Sequence, residues 1–128
     1  TQVRSGLTPW DGGTQRLPRL VGRGVALEMI MTSRTVDAEE ALGIGLVNRL
    51  AKADEVLESA KDVARTIAAH GPIAAGYLKE AVLKGMDMTL EQGLRLEADL
   101  NLLLQTTTDR AEGIQSFLQR RGPDYSGR

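Results

Sequence analysis

The sequence predicts a mainly α-helical chain with at most two short strands. Apolar residues recur every three or four positions along most of it, a spacing that places them on one face of a helix. Pairs typical of helix N-termini precede these runs, as Asp37 does with Glu40 and Thr89 with Gln92. Glycine and proline separate the runs, where they end one helix or begin the next.

A double-glycine turn near the start leads into the first of these helices. Pro9 keeps the residue before it extended, and Gly12 and Gly13 allow positive φ and the close approach of a ligand or another backbone. Thr14 is predicted to cap the helix, whose apolar positions follow at helical spacing (Leu17, Leu20 and Val21). Free N–H groups at such a helix start favour negative charge, which makes the turn a candidate for chemistry. Most Gly-Gly turns are nevertheless purely structural.

The rest of the first half predicts two helices and two short extended pieces. Thr1 to Ser5 is read as the end of a strand, and Leu46 to Leu50 as a short strand because apolar and polar residues partly alternate there. Arg23 to Thr32 is a predicted helix, and its nearly unbroken apolar content indicates that it is well buried. Asp37 begins another helix, which Gly43 or Gly45 ends.

Four helices are predicted in the second half. The first covers Asp54 to Ala69, and Gly71-Pro72 starts the next, which runs to Lys84. A leucine-rich helix follows Thr89, and its apolar face is wider than one neighbouring helix covers, so part of it is expected to meet another chain or domain. Asp109 opens the last helix, to Gln119, with three apolar residues expected inside (Ile114, Phe117 and Leu118). A polar, Gly/Pro-broken tail follows.

Composition narrows the class of protein. The net charge is −1 with acids and bases interspersed, so nothing favours binding to nucleic acid or to an anionic membrane. The chain has no cysteine, which excludes disulfides and thiolate chemistry. No apolar run approaches the roughly 20 residues that a membrane-spanning helix needs. No signal peptide is visible, and the cytoplasm is the expected location. The polar opening reads as though the chain starts within a larger protein.

Four segments together resemble one known family. Gly6-Leu7-Thr8-Pro9-x-x-Gly12-Gly13-Thr14-Gln15-Arg16-Leu17 is similar to the central motif of the enoyl-CoA hydratase/isomerase (crotonase) superfamily. In the same order follow Asp37-Ala38-x-x-Ala41-x-x-x-Gly45-Leu46-Val47, the Gly71-Pro72 helix start, and Asp109-x-x-Glu112-Gly113 with Phe117. The final Arg121-x-Pro123-x-Tyr125 also resembles the usual end of that family. The resemblance covers essentially the whole chain.

The resemblance implies an α/β crotonase (ClpP/crotonase-like) fold in the full protein. This chain would cover its mainly α-helical carboxy-terminal part, with one or two short strands. Residues 1–50 would be the end of the crotonase core, and residues 51–128 a helical trimerisation and lid region. The upstream part of such enzymes supplies the oxyanion-binding N–H groups and the first of two catalytic glutamates. The isolated chain is therefore expected to be inactive.

The resemblance also gives candidate site residues in the turn. The position of the second catalytic glutamate is occupied by Gln2, which cannot exchange a proton as a carboxylate does. Asp11 stands where plain hydratases have small residues, so it is a candidate general acid or base on the acyl chain. The alternative is that Asp11 only accepts backbone N–H bonds in the turn. Trp10 either walls an acyl pocket or merely packs, and Gly12 would let the substrate approach.

Two further candidates lie near the end. Phe117 and Arg120 match positions at which family members contact coenzyme A, and Arg offers a forked donor to phosphate oxygens. The alternative places Phe117 in the core and Arg120 in solvent. The resemblance implies an acyl-CoA substrate, no separate cofactor, no metal, and a homo-oligomer that is a trimer or a dimer of trimers.

Three functions remain open from the sequence. Hydration of a 2-enoyl-CoA through an oxyanion-stabilised thioester enolate is the leading one, as part of fatty-acid metabolism. An isomerase or ring-opening hydrolase that uses Asp11 is the nearest alternative, since Gln2 and Asp11 depart from the hydratase pattern. An inactive helical oligomerisation module is the third.

Overall fold

The computed structural model describes all 128 residues and divides them into two compact units, Thr1–Val56 and Leu57–Arg128. Both are helical, and the chain contains no strand. None of its helices combines the length and hydrophobicity required to cross a membrane. The prediction of a mainly α-helical chain is confirmed, and the prediction of one or two short strands is wrong.

The first unit begins with a 3-10 helix, Gln2–Ser5, followed by α1 (Gly13–Val21), α2 (Arg23–Thr32) and α3 (Ala38–Gly43). Gly6, at φ 70°, closes the 3-10 helix by donating its N–H to the carbonyl of Val3 at 3.0 Å. The strand end predicted for Thr1 to Ser5 is therefore a single helical turn, because no neighbouring strand is present to pair with it.

The predicted strand Leu46 to Leu50 is also absent. The backbone N–H groups of Leu46 and Val47 both donate to the carbonyl of Ala41, at 2.9 and 3.3 Å. They close the end of α3 and are not available for a strand ladder. The partly alternating sequence thus forms an irregular connection between the helices.

Helix α2 has the predicted bounds but not the predicted burial. Only Ala26 is buried in it, whereas Leu27 and Met31 are 51% and 70% exposed. The helix is apolar around most of its circumference, while α1 is the helix that packs against it. The buried apolar residues of the first unit are few and small (Val21, Ala26 and Ala41).

The second unit contains α4 (Val56–Ala68, its first residue in the first unit), α5 (Pro72–Gly85), α6 (Leu90–Leu104) and α7 (Thr108–Gln119). Pro72 starts α5 as predicted. The capping box before α6 is complete, because Thr89 Oγ1 accepts from the Gln92 N–H at 3.3 Å and Gln92 Oε1 accepts from the Thr89 N–H at 3.1 Å. Helices α5 and α6 pack against each other, and only Leu100 is buried among the apolar residues of this unit.

Helix α7 starts earlier than predicted and turns its other face inward. Thr107, not Asp109, is the N-cap, and its side chain accepts from the Arg110 N–H. The buried residues of α7 are Asp109 and Ser116, while Phe117 is 82% exposed. The expectation that Ile114, Phe117 and Leu118 lie inside is wrong for this chain. The inward face instead carries polar and small residues that contact the tail.

Candidate functional site

The double-glycine turn in the first unit owes its shape to two different requirements. Gly12 is the N-cap of α1 at φ 81°, a left-handed conformation that glycine adopts without steric cost. Gly13 faces Pro9, whose Cβ would lie 3.0 Å from any Cβ added there. The predicted cap by Thr14 is wrong, because the helix already begins at Gly13 and no side chain caps it.

Asp11 and Trp10 form the exposed lip of this turn. Asp11 has φ 55°, which for a non-glycine residue costs about 1–2 kcal/mol. Its carbonyl accepts a bond from the Arg16 guanidinium, which bends back over the helix start. The Asp11 carboxylate itself is exposed at the lip. Trp10 is 70% exposed and does not pack as a core residue in this chain.

A cleft of about 330 Å³ lies beside the turn, and we call it the turn cleft. Gln2, from the 3-10 helix, and Trp10, from the turn, both line it. The remaining lining is mostly apolar and comes from the 3-10 helix, the turn, α1 and α2 (Val3, Pro9, Gly13, Leu17, Met29 and Ile30), with Thr1 and Arg34. The cleft thus combines an apolar wall with one amide and one guanidinium.

Arg34 is fixed in the turn cleft by two carboxylates. Its guanidinium bonds both oxygens of Glu40, at 2.7 and 2.9 Å, and lies 2.8 Å from Glu28. The hydrogen bonds to Glu40, with a smaller contribution from Glu28, raise the pKa of Arg34 above its usual value. Glu40 is therefore engaged by Arg34, and the capping box predicted with Asp37 is only half formed. The Glu40 N–H bonds Asp37 at 2.8 Å, as predicted.

The second unit carries the other two candidate residues at the end of α7. Phe117 is largely exposed, and Arg120 is the C-cap, with φ 52°. The Arg121 N–H bonds the carbonyl of Ser116 at 3.0 Å, which closes the helix. The alternative prediction placed Phe117 in the core and Arg120 in solvent. For this chain it is wrong for Phe117, and Arg120 is exposed as that alternative predicted.

Two carboxylates on α7 hold the segment that follows it, residues 121–128, which we call the tail. Glu112 bonds Arg121 through both of its oxygens, at 2.5 and 2.8 Å, and also accepts from the Asp124 N–H at 2.8 Å. The bonds from Arg121 first, and then the one from the Asp124 backbone, lower the pKa of Glu112 to about 2. Asp109 is 6% exposed and accepts from the N–H groups of Ser126 and Gly127, at 2.7 and 2.9 Å.

Comparison with known proteins identifies the family of this fold. A sequence model described as enoyl-CoA hydratase/isomerase matches residues 1–128. The chain belongs to this family. The resemblance seen in the sequence is therefore confirmed.

Relatives of this chain include proteins named as hydratases. The 2,3-dehydroadipyl-CoA hydratase of Escherichia coli K12 is 39% identical over 127 residues, which are 99% of this chain and 50% of the relative. The crotonyl-CoA hydratase of Syntrophomonas wolfei is 39% identical over 124 residues, 97% of this chain and 48% of the relative. The chain thus spans about half the length of the curated relatives that it matches.

The solved structures show the same fold. The enoyl-CoA hydratase from Bacillus anthracis superposes with a TM-score of 0.97 at 41% identity, over 100% of this chain and 50% of that one. An enoyl-CoA hydratase structure from Geobacillus kaustophilus gives a TM-score of 0.96 at 38% identity. The chain therefore has the crotonase fold over its length, in the helical portion of that fold.

The structure brings some of the predicted residues together. Gln2 and Trp10 line one cleft, and Asp11 and Gly12 follow Trp10 directly in the same turn. Phe117 and Arg120 belong to the second unit. Arg34 was not predicted from the sequence, because the acids that pair with it, Glu28 and Glu40, lie on two different helices and form no recognisable motif with it. Glu112 and Arg121 were predicted only as parts of the family motif, although their spacing of nine residues across a helix end was a usable signal.

Proposed function

We propose that this chain is part of an enzyme that adds water to a 2-enoyl-CoA through a thioester enolate. The observation that carries the proposal is the turn cleft, lined by Gln2 and Trp10 and adjoining Asp11, in a chain that matches the family over its whole length. Relatives named as hydratases, at 39% identity, support hydration as the reaction.

The apolar wall of the turn cleft suits the acyl chain of such a substrate. Trp10 is 70% exposed, so its large flat ring is not part of a core and is available to the acyl chain. Gly12 has no Cβ and lies at the start of α1, so the acyl group can approach the backbone closely there. These residues would bind and orient the acyl group.

Asp11 is proposed to move the proton. Its carboxylate is held at the lip of the turn by a left-handed backbone, and strained residues of this kind cluster at functional sites. In hydration a carboxylate can take a proton from the water whose oxygen bonds the β-carbon and can deliver a proton to the α-carbon of the resulting thioester enolate, whereas the Gln2 amide can only orient water or a carbonyl by hydrogen bonding. Asp11 is thus the one proton carrier proposed in this turn.

The nucleotide end of coenzyme A is assigned to α7. Phe117 and Arg120 are both exposed at its last turn, and the Arg120 guanidinium suits phosphate oxygens. The oxyanion-binding N–H groups are proposed to come from the other half of the family fold. The isolated chain is accordingly proposed to be inactive, and the active form to be a cytoplasmic homotrimer or a dimer of trimers.

Two other functions have support. Asp11 together with Gln2 favours double-bond isomerisation or ring-opening hydrolysis, in which a single carboxylate does the proton transfer. The outward apolar residues of α5 to α7 favour a helical oligomerisation module without activity of its own, since large exposed apolar patches mark interfaces.

The test is turnover by the complete protein that contains this chain. We expect hydration of crotonyl-CoA, measured as loss of the conjugated thioester absorbance, and a kcat lower by about 10²–10⁴-fold in Asp11→Asn. Asp54→Asn, an exposed acid before α4, is the matched control and should leave kcat unchanged. Turnover of a 3-enoyl or cyclic β-keto acyl-CoA without hydration would select the isomerase or hydrolase. An unaltered kcat in Asp11→Asn would remove Asp11 from the chemistry.

The oligomerisation module has a separate test. Sedimentation of the isolated 128-residue chain should show a trimer if the exposed helical faces are sufficient for assembly. A folded monomer would contradict that function.

A further inference from the structure

The Glu112 carboxylate accepts hydrogen bonds from three donors that lie beyond the end of α7. Both of its oxygens bond the Arg121 guanidinium, and one also accepts from the Asp124 N–H. The Arg121 side chain is further fixed by bonds from Nε to Gln119 at 2.8 Å and from Nη1 to the carbonyl of Gly122 at 3.1 Å. One carboxylate thus holds the Arg121 side chain and the backbone that follows Arg121.

Arg120, the C-cap of α7, directly precedes Arg121. Arg120 adopts a left-handed conformation, which is unfavourable for a residue with a Cβ and needs support from its surroundings. The N–H groups of Arg120 and Arg121 close the helix onto Phe117 and Ser116. The paired Glu112 and Arg121 side chains lie on either side of this closure, so they help to hold the strained Arg120 backbone in place.

The two side chains presented by this helix end are not used inside the chain. Phe117 is 82% exposed, and the Arg120 guanidinium makes no hydrogen bond or ion pair within the chain. An aromatic face and a forked donor three residues apart suit a ligand that carries both a base and phosphates. The proposed function assigns these residues to the nucleotide of coenzyme A.

We propose that Glu112 and Arg121 are positioning residues for nucleotide recognition. They touch no substrate atom, and they act by fixing the turn from which Phe117 and Arg120 meet the nucleotide. This inference rests on the proposed function. It predicts that loss of the pair weakens the binding of a substrate with a nucleotide and leaves the chemical step and a nucleotide-free substrate unaffected.

The experiment compares two thioesters of the same acyl group on the complete protein, one of coenzyme A and one of pantetheine, which lacks the nucleotide. Glu112→Gln should raise KM for the acyl-CoA about 5- to 10-fold, the loss expected for one misplaced charged contact, with kcat within twofold. The kcat/KM for the acyl-pantetheine should not change. Arg121→Lys keeps the charge but loses the forked geometry, and should give a smaller shift in the same direction.

The control is Glu91→Gln, which breaks the exposed ion pair with Arg95 on α6. It should change neither kcat nor KM for either thioester. Equal losses on both thioesters in Glu112→Gln and Arg121→Lys would overturn the inference, because they would indicate general damage to the fold. An unchanged KM for the acyl-CoA in both variants would overturn it as well. If the unmodified protein turned over no acyl-CoA, the proposed function would fail and this inference with it.

Discussion

Asp109 provides the sharpest test of how the tail is held. Its buried carboxylate accepts from the N–H groups of Ser126 and Gly127 and from the Ser126 hydroxyl, at 2.7, 2.9 and 3.3 Å. In Asp109→Ala these donors lose their partner. Two charge-assisted bonds at the lower end of their usual range give about 3 kcal/mol, which is a factor of about 10² in the equilibrium for opening the tail.

Native-state hydrogen exchange is the measurement. The amides of Ser126 and Gly127 should exchange about 10²-fold faster in Asp109→Ala, whereas amides in the middle of α6 should change far less, since only the tail opens. The matched control is Asp99→Ala, which removes an exposed acid on α6. Unchanged protection of Ser126 and Gly127, or equal loss in the control, would refute the assignment of Asp109 as the anchor of the tail.

The remaining predictions concern stability. Ser33→Gly should stabilise the chain by about 1 kcal/mol in thermal unfolding, because Ser33 is buried at φ 53° with its hydroxyl unbonded. Gly76→Ala, where a Cβ meets nothing within 4 Å, should add about 0.8 kcal/mol of helix propensity. Gly113→Ala should gain less, since its Cβ would lie 3.3 Å from the Tyr125 hydroxyl; equal gains would contradict this packing. Because the pKa of Glu112 is lowered from 4.5 to about 2, its stabilising effect is complete above pH 4.5 and is lost as the pH falls towards 2. An acid unfolding titration of Glu112→Gln should lack that part of the decline.

Local signals predicted the helices well where neighbouring residues alone decide the structure. The bounds of α2 agree with the sequence, and the capping box of Thr89 and Gln92 forms as expected. Such caps depend on residues three apart, and no distant partner is needed. The family motif around Gly12 was equally local, and it identified the family correctly.

Predictions failed where a side chain had more than one possible partner or where another segment packed against the helix. Glu40 had the spacing for a reciprocal cap, but Arg34 offered a bidentate ion pair, and that pair formed instead. On α7 the 3.6-residue period was right while the inward face was wrong, because the tail supplies N–H groups that Asp109 accepts. The periodicity of a helix carries no information about a later segment that packs back along that helix.

The amino-acid sequence by itself determined most of the helical segments, the capping box before α6 and membership of the enoyl-CoA hydratase/isomerase family, since these depend on neighbours within a few residues. The tertiary structure alone decided that Gln2 and Trp10 share a cleft, that Phe117 faces outward and that two acids of α7 hold the tail. Hydrogen bonds and burial between residues distant in the chain govern these features, and such contacts exist only after the backbone has folded.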